Sequence, residues 1–460
     1  MTLISKRGKI NLMKDKKTIK PEKAGGFLDY LPETMIVRQR MLDIIRKTFE
    51  SYGFLPLDTP AIEKLEVLTG NDPDFNMNLY RTAVVPGLKK LQEADNENLA
   101  LRFDLTVPLT RVIASYPDKI IKPFKRYQIG RVWRGERQQA GRFREFTQVD
   151  ADIIGTRSVL ADTEIISLAY QVMKSLGFDN FLIKLNNRKI LNSFLNSIGV
   201  EDKDKKSVLR IIDKKEKITL EELQQELEKV TKASQKILDF INLKGEPEEV
   251  LSQIEKAIET EEGKEGITEL KKTCQNLQSL EINSQNWTID LSVARGLSYY
   301  TGLVFETFLT DLDDMGSVLA GGRFDGLTNR FVTNSNIAGI GASVGFDRLF
   351  AAAEKLGKIK TQPSLSQVLV AVLDKDLQAD YLKLAQKLRQ AGFRTEIFLD
   401  FIPLKEQLIY AAKQEIPIII IMGADEKKEN TITIKDIRSH EQEVINQDEL
   451  IEKVDSTLKE

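Results

Sequence analysis

The sequence predicts an α+β chain in three parts: a domain built on an antiparallel sheet, a helical insertion within it, and a C-terminal α/β domain. Three observations predict this. First, "FKRYQIGRVWRGERQQAGRFREFTQVDADIIG", residues 124–155, places a polar loop between two extended runs, the pattern of an antiparallel hairpin with a long tip. Second, between about residue 200 and residue 283 the chain turns to amphipathic helices rich in Lys and Glu, such as "LEELQQELEKV" and "ITELKKTCQNLQSL". Strand-like sequence then returns from Trp287 to about Gly345. Third, past the linker "GKIKTQPSLSQ", the apolar runs "VLVAVL", "FRTEIFL" and "IPIIIIMG" alternate with helical segments, which predicts a mostly parallel sheet.

Taken in order, residues 1–22 are basic and lack an apolar face, so they form a flexible tail or an arm that touches nucleic acid or membrane. Met35–Tyr52 reads as a helix, with Ile36, Met41, Ile44, Ile45 and Phe49 at helical spacing. "GFLPLDTPAIE" is a short extended segment broken by prolines, and residues 99–155 hold strands and a helix. "LNNRKILNSFL" ends a strand-to-helix step. The expected division is 23–199 with 284–360, the insertion 200–283, and the C-terminal unit 365–460.

At 460 residues the chain is too long for one core. Its 41% hydrophobic and 30% charged residues describe a folded protein. No apolar run spans a bilayer and none resembles a signal peptide, so a cytoplasmic location is expected. The lone Cys274 excludes an internal disulfide and fits a reducing compartment. A net charge of −2 gives no global pull toward nucleic acid, so such a partner must be gripped locally. The single histidine, His440, excludes a Ser-His-Asp triad, a Cys-His pair and a His/Cys zinc cluster. Chemistry is left to carboxylates, arginines, tyrosines, hydroxyls, backbone groups or hard cations held by oxygen. Arginine holds phosphates and stabilises developing negative charge, which points to phosphoryl or nucleotidyl transfer.

On the second hairpin strand one face carries Arg142, Arg144, Phe146, Gln148, Asp150 and Asp152. Same-face neighbours lie about 6.5 Å apart, so this row matches an extended ligand with phosphates at one end and an amine at the other. A solvated face of alternating charge gives the same pattern. "ARGLSYYTG", residues 294–302, sets Arg295, Tyr299 and Tyr300 inside an apolar stretch, where packing alone rarely selects a cation. The glycines of "AGGRFDGL" and "GIGASVGFDRL" miss the dinucleotide fingerprint and read as turns or close strand packing.

Together these segments resemble a class II aminoacyl-tRNA synthetase, specifically the histidyl-tRNA synthetase family. "TPAIE" resembles the end of motif 1, "RVWRGERQQAGRFREFTQ" motif 2 and "GASVGFDRL" motif 3. "LRFDLTVPLTR" resembles the histidine- and ATP-site segment, and "ARGLSYYTG" a signature peculiar to the histidine enzymes. Asp104 and Asp152 follow the eukaryotic and archaeal form more than the common bacterial one, which has Glu at both places.

The resemblance implies a class II catalytic domain, an anticodon-binding C-terminal domain, and a homodimer acting on L-histidine, ATP with Mg²⁺, and tRNA(His). It implies that Arg134 holds the α-phosphate, Phe146 stacks on adenine, and Glu136 reads its amino group. Arg142 and Arg348 face the remaining phosphates; Asp104, Thr106, Gln148, Asp152, Tyr299 and Tyr300 form the histidine pocket. Arg295 is the extra catalytic cation beside the reacting carboxylate and phosphate. Two positions depart from the pattern: Ser298 for Asp, and Phe324 for Tyr. The competing readings are a non-catalytic, histidine-sensing paralogue like the regulatory subunit of ATP phosphoribosyltransferase, and a nucleotidyltransferase for another amine.

Overall fold

The computed structural model describes residues 20–70, 78–82, 98–135, 143–294, 300–331 and 337–459. Strands Phe124–Trp133 and Glu145–Ile154 pair antiparallel as the hairpin pattern predicts, with Arg126 opposite Asp152 and Gln128 opposite Asp150. Strands Gly339–Gly345, Leu319–Arg323, Leu303–Leu309 and Phe181–Asn187 continue the antiparallel run. Short parallel strands, Leu55–Pro56 and Trp287–Ile289, close the two edges of this eight-stranded sheet.

Alternation along the strands makes its two faces unlike. Val149, Ala151, Ile153, Ile340, Ala342 and Val344 enter the main core with buried residues of the helices Pro32–Ser51 and Val159–Ser175. The first of these helices starts earlier than the apolar spacing suggests, because Pro32 fits the first turn, where its missing N–H is not needed. Gln148, Asp150 and Asp152 point to the opposite face, yet they too are buried. A small sheet of Ile62–Lys64, Leu99–Leu101 and Arg81–Thr82 leads into the helix Thr106–Ser115.

The insertion is five helices: Asp202–Ile212, Leu220–Glu228, Ser234–Ile241, Pro247–Ala257 and Glu261–Ser279. Thr219 and Glu222 cap the second with reciprocal hydrogen bonds, a device worth about 1 kcal/mol. Leu223, Ile237, Leu270 and Leu277 join the same hydrophobic cluster as the sheet. The insertion therefore shares its core with the domain that it interrupts.

In the C-terminal unit, Val368–Val370 lies parallel to both Thr395–Ile397 and Ile418–Ile421. Thr431–Asp436 and Gln442–Asn446 then add antiparallel strands, so the sheet is mixed where a mostly parallel one was expected. The charged turn between them hides a hairpin, in which His440 takes a positive φ of 66°. The only histidine of the chain thus sits at a surface turn.

Candidate active site

The site is built on the polar face of the sheet, and the strand register sets it out in rows. One row runs Arg126, Asp152, Gly341, Gly322; the next runs Gln128, Asp150, Ser343, Ala320. Arg126 is wholly buried, with Nη2 2.7 Å from Asp152 Oδ2. Gln148 Nε2 donates to Ser343 Oγ at 3.0 Å. Among the described residues, Gln148 Oε1, Asp150 Oδ1, Asp152 Oδ2, and Arg126 Nε and Nη1 have no aligned hydrogen-bond partner. Asp152 Oδ2 is held by the ion pair with Arg126; the others, at about 1–3 kcal/mol for each buried unsatisfied group, are donors and acceptors that a polar ligand can satisfy. Burial raises the carboxyl of Asp152 to about 7 against the pull of Arg126, with Asp150 and Asp104 pushing it further up. Burial also raises Asp150.

Between Asp152 and Tyr300 the sheet carries glycines, Gly341 and Gly322, paired on neighbouring strands. A Cβ on Gly341 would fall inside the carboxylate of Asp152, and one on Gly322 would lie 2.8 Å from the ring of Tyr300. Glycine there lets the Asp152 carboxylate and the Tyr300 ring lean over the backbone of the sheet, so that an acid and a phenol stand on neighbouring strands.

Asp104 comes in from the side. Its Oδ1 accepts from the N–H of Val107 at 3.1 Å, capping the helix that Thr106 begins. Arg134 Nε donates to the Phe103 carbonyl at 3.0 Å and Arg126 Nη2 to the Leu105 carbonyl at 3.2 Å. The two arginines thus grip the backbone on both sides of Asp104.

At the other end of the row the Arg134 guanidinium lies over the ring of Phe146, 5.1 Å from its centroid. That cation–π contact holds the cation at the sheet. Arg348 opens the helix Phe346–Lys355 and donates from Nη1 to the Ser317 carbonyl at 2.7 Å. Asp347 fixes this helix to the hairpin: Oδ2 accepts from the Thr147 N–H at 2.8 Å, while Tyr30 and Arg38 meet Oδ1. Burial beside Asp347 pushes the Tyr30 phenol up to about 12.

A guanidinium on an aromatic ring, a second arginine at a helix start and an acid–amide pocket between them suit a nucleotide joined to a small amine. Comparison with known proteins decides between the remaining readings. A family model described as Histidyl-tRNA synthetase matches residues 26–349, and one described as Anticodon binding domain matches 367–457. A histidine–tRNA ligase of Clostridium tetani is 40% identical over 446 residues, covering 95% of this chain and 98% of its own. The chain belongs to the histidyl-tRNA synthetase family. The crystal structure of histidyl-tRNA synthetase from Nostoc sp. PCC 7120 is similar with a TM-score of 0.84 at 34% identity, over 95% of this chain and 100% of that one. A Bacillus halodurans structure titled as an ATP phosphoribosyltransferase regulatory subunit/histidyl-tRNA synthetase has a TM-score of 0.69 over 83% of this chain and 93% of its own. At 22% identity it shows the shared fold alone.

Within this histidyl-tRNA synthetase family member, Asp104 acts electrostatically on Asp152, Tyr300 lies over Gly322 of the same row, and Gln148 lies further along that face against Ser343, with Thr106 at the adjoining helix start. Arg134 and Phe146 are in contact, and Arg348 lies on the helix tied to their strand. Arg295, Tyr299, Glu136 and Arg142 lie outside the described residues, as does the departure at Ser298. Phe324 is buried with Leu109, Ile113 and Ile154, where a phenyl ring packs well. Sequence reasoning missed Arg126, Ser343 and the paired glycines. Folding the hairpin about the middle of its polar tip, residues 135–141, puts Arg126 on the acid-bearing face opposite Asp150, one step from its actual partner Asp152, so a signal for a buried ion pair was present but its register was not. Ser343 and Gly341 come from a strand distant in sequence, and no local pattern points to them.

Proposed function

We propose that the chain joins L-histidine to tRNA(His) in two steps. In the first, the histidine carboxylate attacks the α-phosphorus of ATP, forming histidyl-adenylate and releasing pyrophosphate. In the second, a hydroxyl of the terminal adenosine displaces AMP. The buried polar row of Gln148, Asp150 and Asp152, with Gln148 Oε1 and Asp150 Oδ1 lacking a hydrogen-bond partner, carries the amino-acid half of this reading. Asp104 receives the amino group, Gln148 and Asp152 face the imidazole, and Thr106, Tyr299 and Tyr300 close the pocket. Arg134 meets the α-phosphate and Phe146 the adenine, with Glu136, Arg142 and Arg348 completing the ATP site. Arg295 offsets the repulsion between carboxylate and phosphate and stabilises the five-coordinate phosphorus.

ATP is a substrate here, and Mg²⁺ enters with its phosphates. The aspartates at 104 and 152 give the pocket its eukaryotic- and archaeal-like form. The relative named above is bacterial. The proposed division keeps 1–22 as a tail, 23–199 with 284–360 as the catalytic domain, 200–283 as the insertion and 365–460 as the anticodon-binding domain. Homodimerisation is supported by Leu55 and Ile62, exposed around the "TPAIE" segment. A cytoplasmic location fits the lone buried Cys274, and no helix among the described residues is long and apolar enough to cross a membrane. The histidine-sensing paralogue is the weaker reading, because the site keeps Arg134 on Phe146 and Arg348 on its helix.

The test is exchange of labelled pyrophosphate into ATP. Histidine alone should drive it, and Arg295→Ala should abolish it. Tight histidine binding without exchange would instead establish the sensor.

A further inference from the structure

Four consecutive residues at the end of the strand Phe181–Asn187 divide their side chains between two clients. Asn186 Nδ2 donates to the Leu291 and Val293 carbonyls, both at 3.0 Å. Arg188 Nη1 donates to the Ala294 carbonyl at 2.7 Å, and its backbone N–H to the Gly302 carbonyl at 2.8 Å. One residue therefore holds the chain on both sides of the signature segment and fixes Gly302, two residues after Tyr300.

The other two residues face the insertion. Asn187 Nδ2 donates to Glu269 Oε2 at 2.9 Å, and Lys189 Nζ lies 2.7 Å from Glu269 and 3.1 Å from Glu265. Both acids belong to the last inserted helix, Glu261–Ser279. That helix comes close because it carries Gly266: a Cβ there would stand 2.8 Å from Lys189 Cβ and 3.1 Å from Asn187 Oδ1. Arg188 is itself buried, and the acid that offsets its charge, Asp213, follows the first inserted helix.

We propose that Asn186–Lys189 is a junction through which the inserted helices position the wall of the histidine pocket, with Arg188 as its positioning residue. This rests on the reading of that pocket given above. Arg188 does not touch substrate. It sets where Ala294 and Gly302 stand, and so where Tyr300 meets Gly322. Glu269 holds the same turn from the insertion side, so a shift of that helix is passed to the pocket by rigid, hydrogen-bonded backbone.

Pyrophosphate exchange on the full chain, with histidine and ATP varied separately, tests this. Arg188→Ala should raise the KM for histidine at least about tenfold while the KM for ATP moves less than about twofold. Arg188→Lys keeps a donor for the Ala294 carbonyl and should recover most of the loss. Glu269→Ala should raise the histidine KM in the same sense by a smaller factor. Should Arg188→Ala fail to fold, the lysine variant and Glu269→Ala still decide. An unchanged histidine KM in Glu269→Ala, or equal shifts for both substrates in the Arg188 variants, overturns the junction. A wild-type chain that exchanges nothing with histidine overturns the pocket reading itself.

Discussion

Asp152 shows how much a single position must reconcile. It is buried, faces the wholly buried Arg126, and shares its surroundings with Asp150 and Asp104. Its carboxyl stands at about 7, above the ordinary value of 3.8. A raised folded-state value means that the native chain holds this proton more tightly than the unfolded chain. Stability linked to it is then lost as pH rises from about 4 through 7. Asp152→Asn removes that loss, so the melting temperature of the variant relative to wild type should rise between pH 5 and pH 8. Function should move the other way. Ionised Asp152 binds an imidazole N–H best, and a hydrogen bond to a charged group is worth about 1.5–3 kcal/mol. The variant should therefore lose roughly 10- to 100-fold in kcat/KM for histidine at pH 8. A melting difference that is flat with pH would show that this carboxyl titrates elsewhere. The part of the row from Phe146 to Asp152 was legible because alternation is a local property. The burial of its acids was not, because a solvated face has the same pattern, and burial depends on the strand Gly339–Gly345 and the segment around Asp104.

At the level of elements, glycine placement decides the pocket. The strand Gly339–Gly345 read as turns or close packing, and close packing is what Gly341 supplies beneath Asp152. Gly341→Ala keeps the strand pairing but puts a methyl group where the carboxylate lies. Histidine KM should rise about tenfold or more, with ATP KM nearly unchanged, since the Arg134–Phe146 contact is remote from that row. Steady-state exchange checks it, and equal losses for both substrates would count against that role of Gly341. The hairpin and the inserted helices were readable from periodicity and turn chemistry. The closing C-terminal hairpin was missed because "TITIKDIRSHEQEVIN" buries only alternate residues and reads as charged loop. The three-stranded sheet that presents Asp104 escaped for a related reason, as strands of two or three residues carry too little pattern.

Across the whole molecule the antiparallel sheet does two jobs with its two faces. One, rich in Val, Ile and Ala, joins a core that runs on into the inserted helices. The other gathers arginine, carboxylate, amide and bare glycine into one line. Family membership fits that division, because adenylate formation needs two anions held together and a base and an imidazole recognised at opposite ends. The most direct test is a crystal structure with histidine and ATP, or with a non-hydrolysable histidyl-adenylate analogue. The account predicts the histidine side chain within hydrogen-bond distance of Asp152 and beside Tyr300, adenine on Phe146, and the α-phosphate at Arg134. An amino acid bound elsewhere, with Asp152 and Tyr300 untouched, would contradict it.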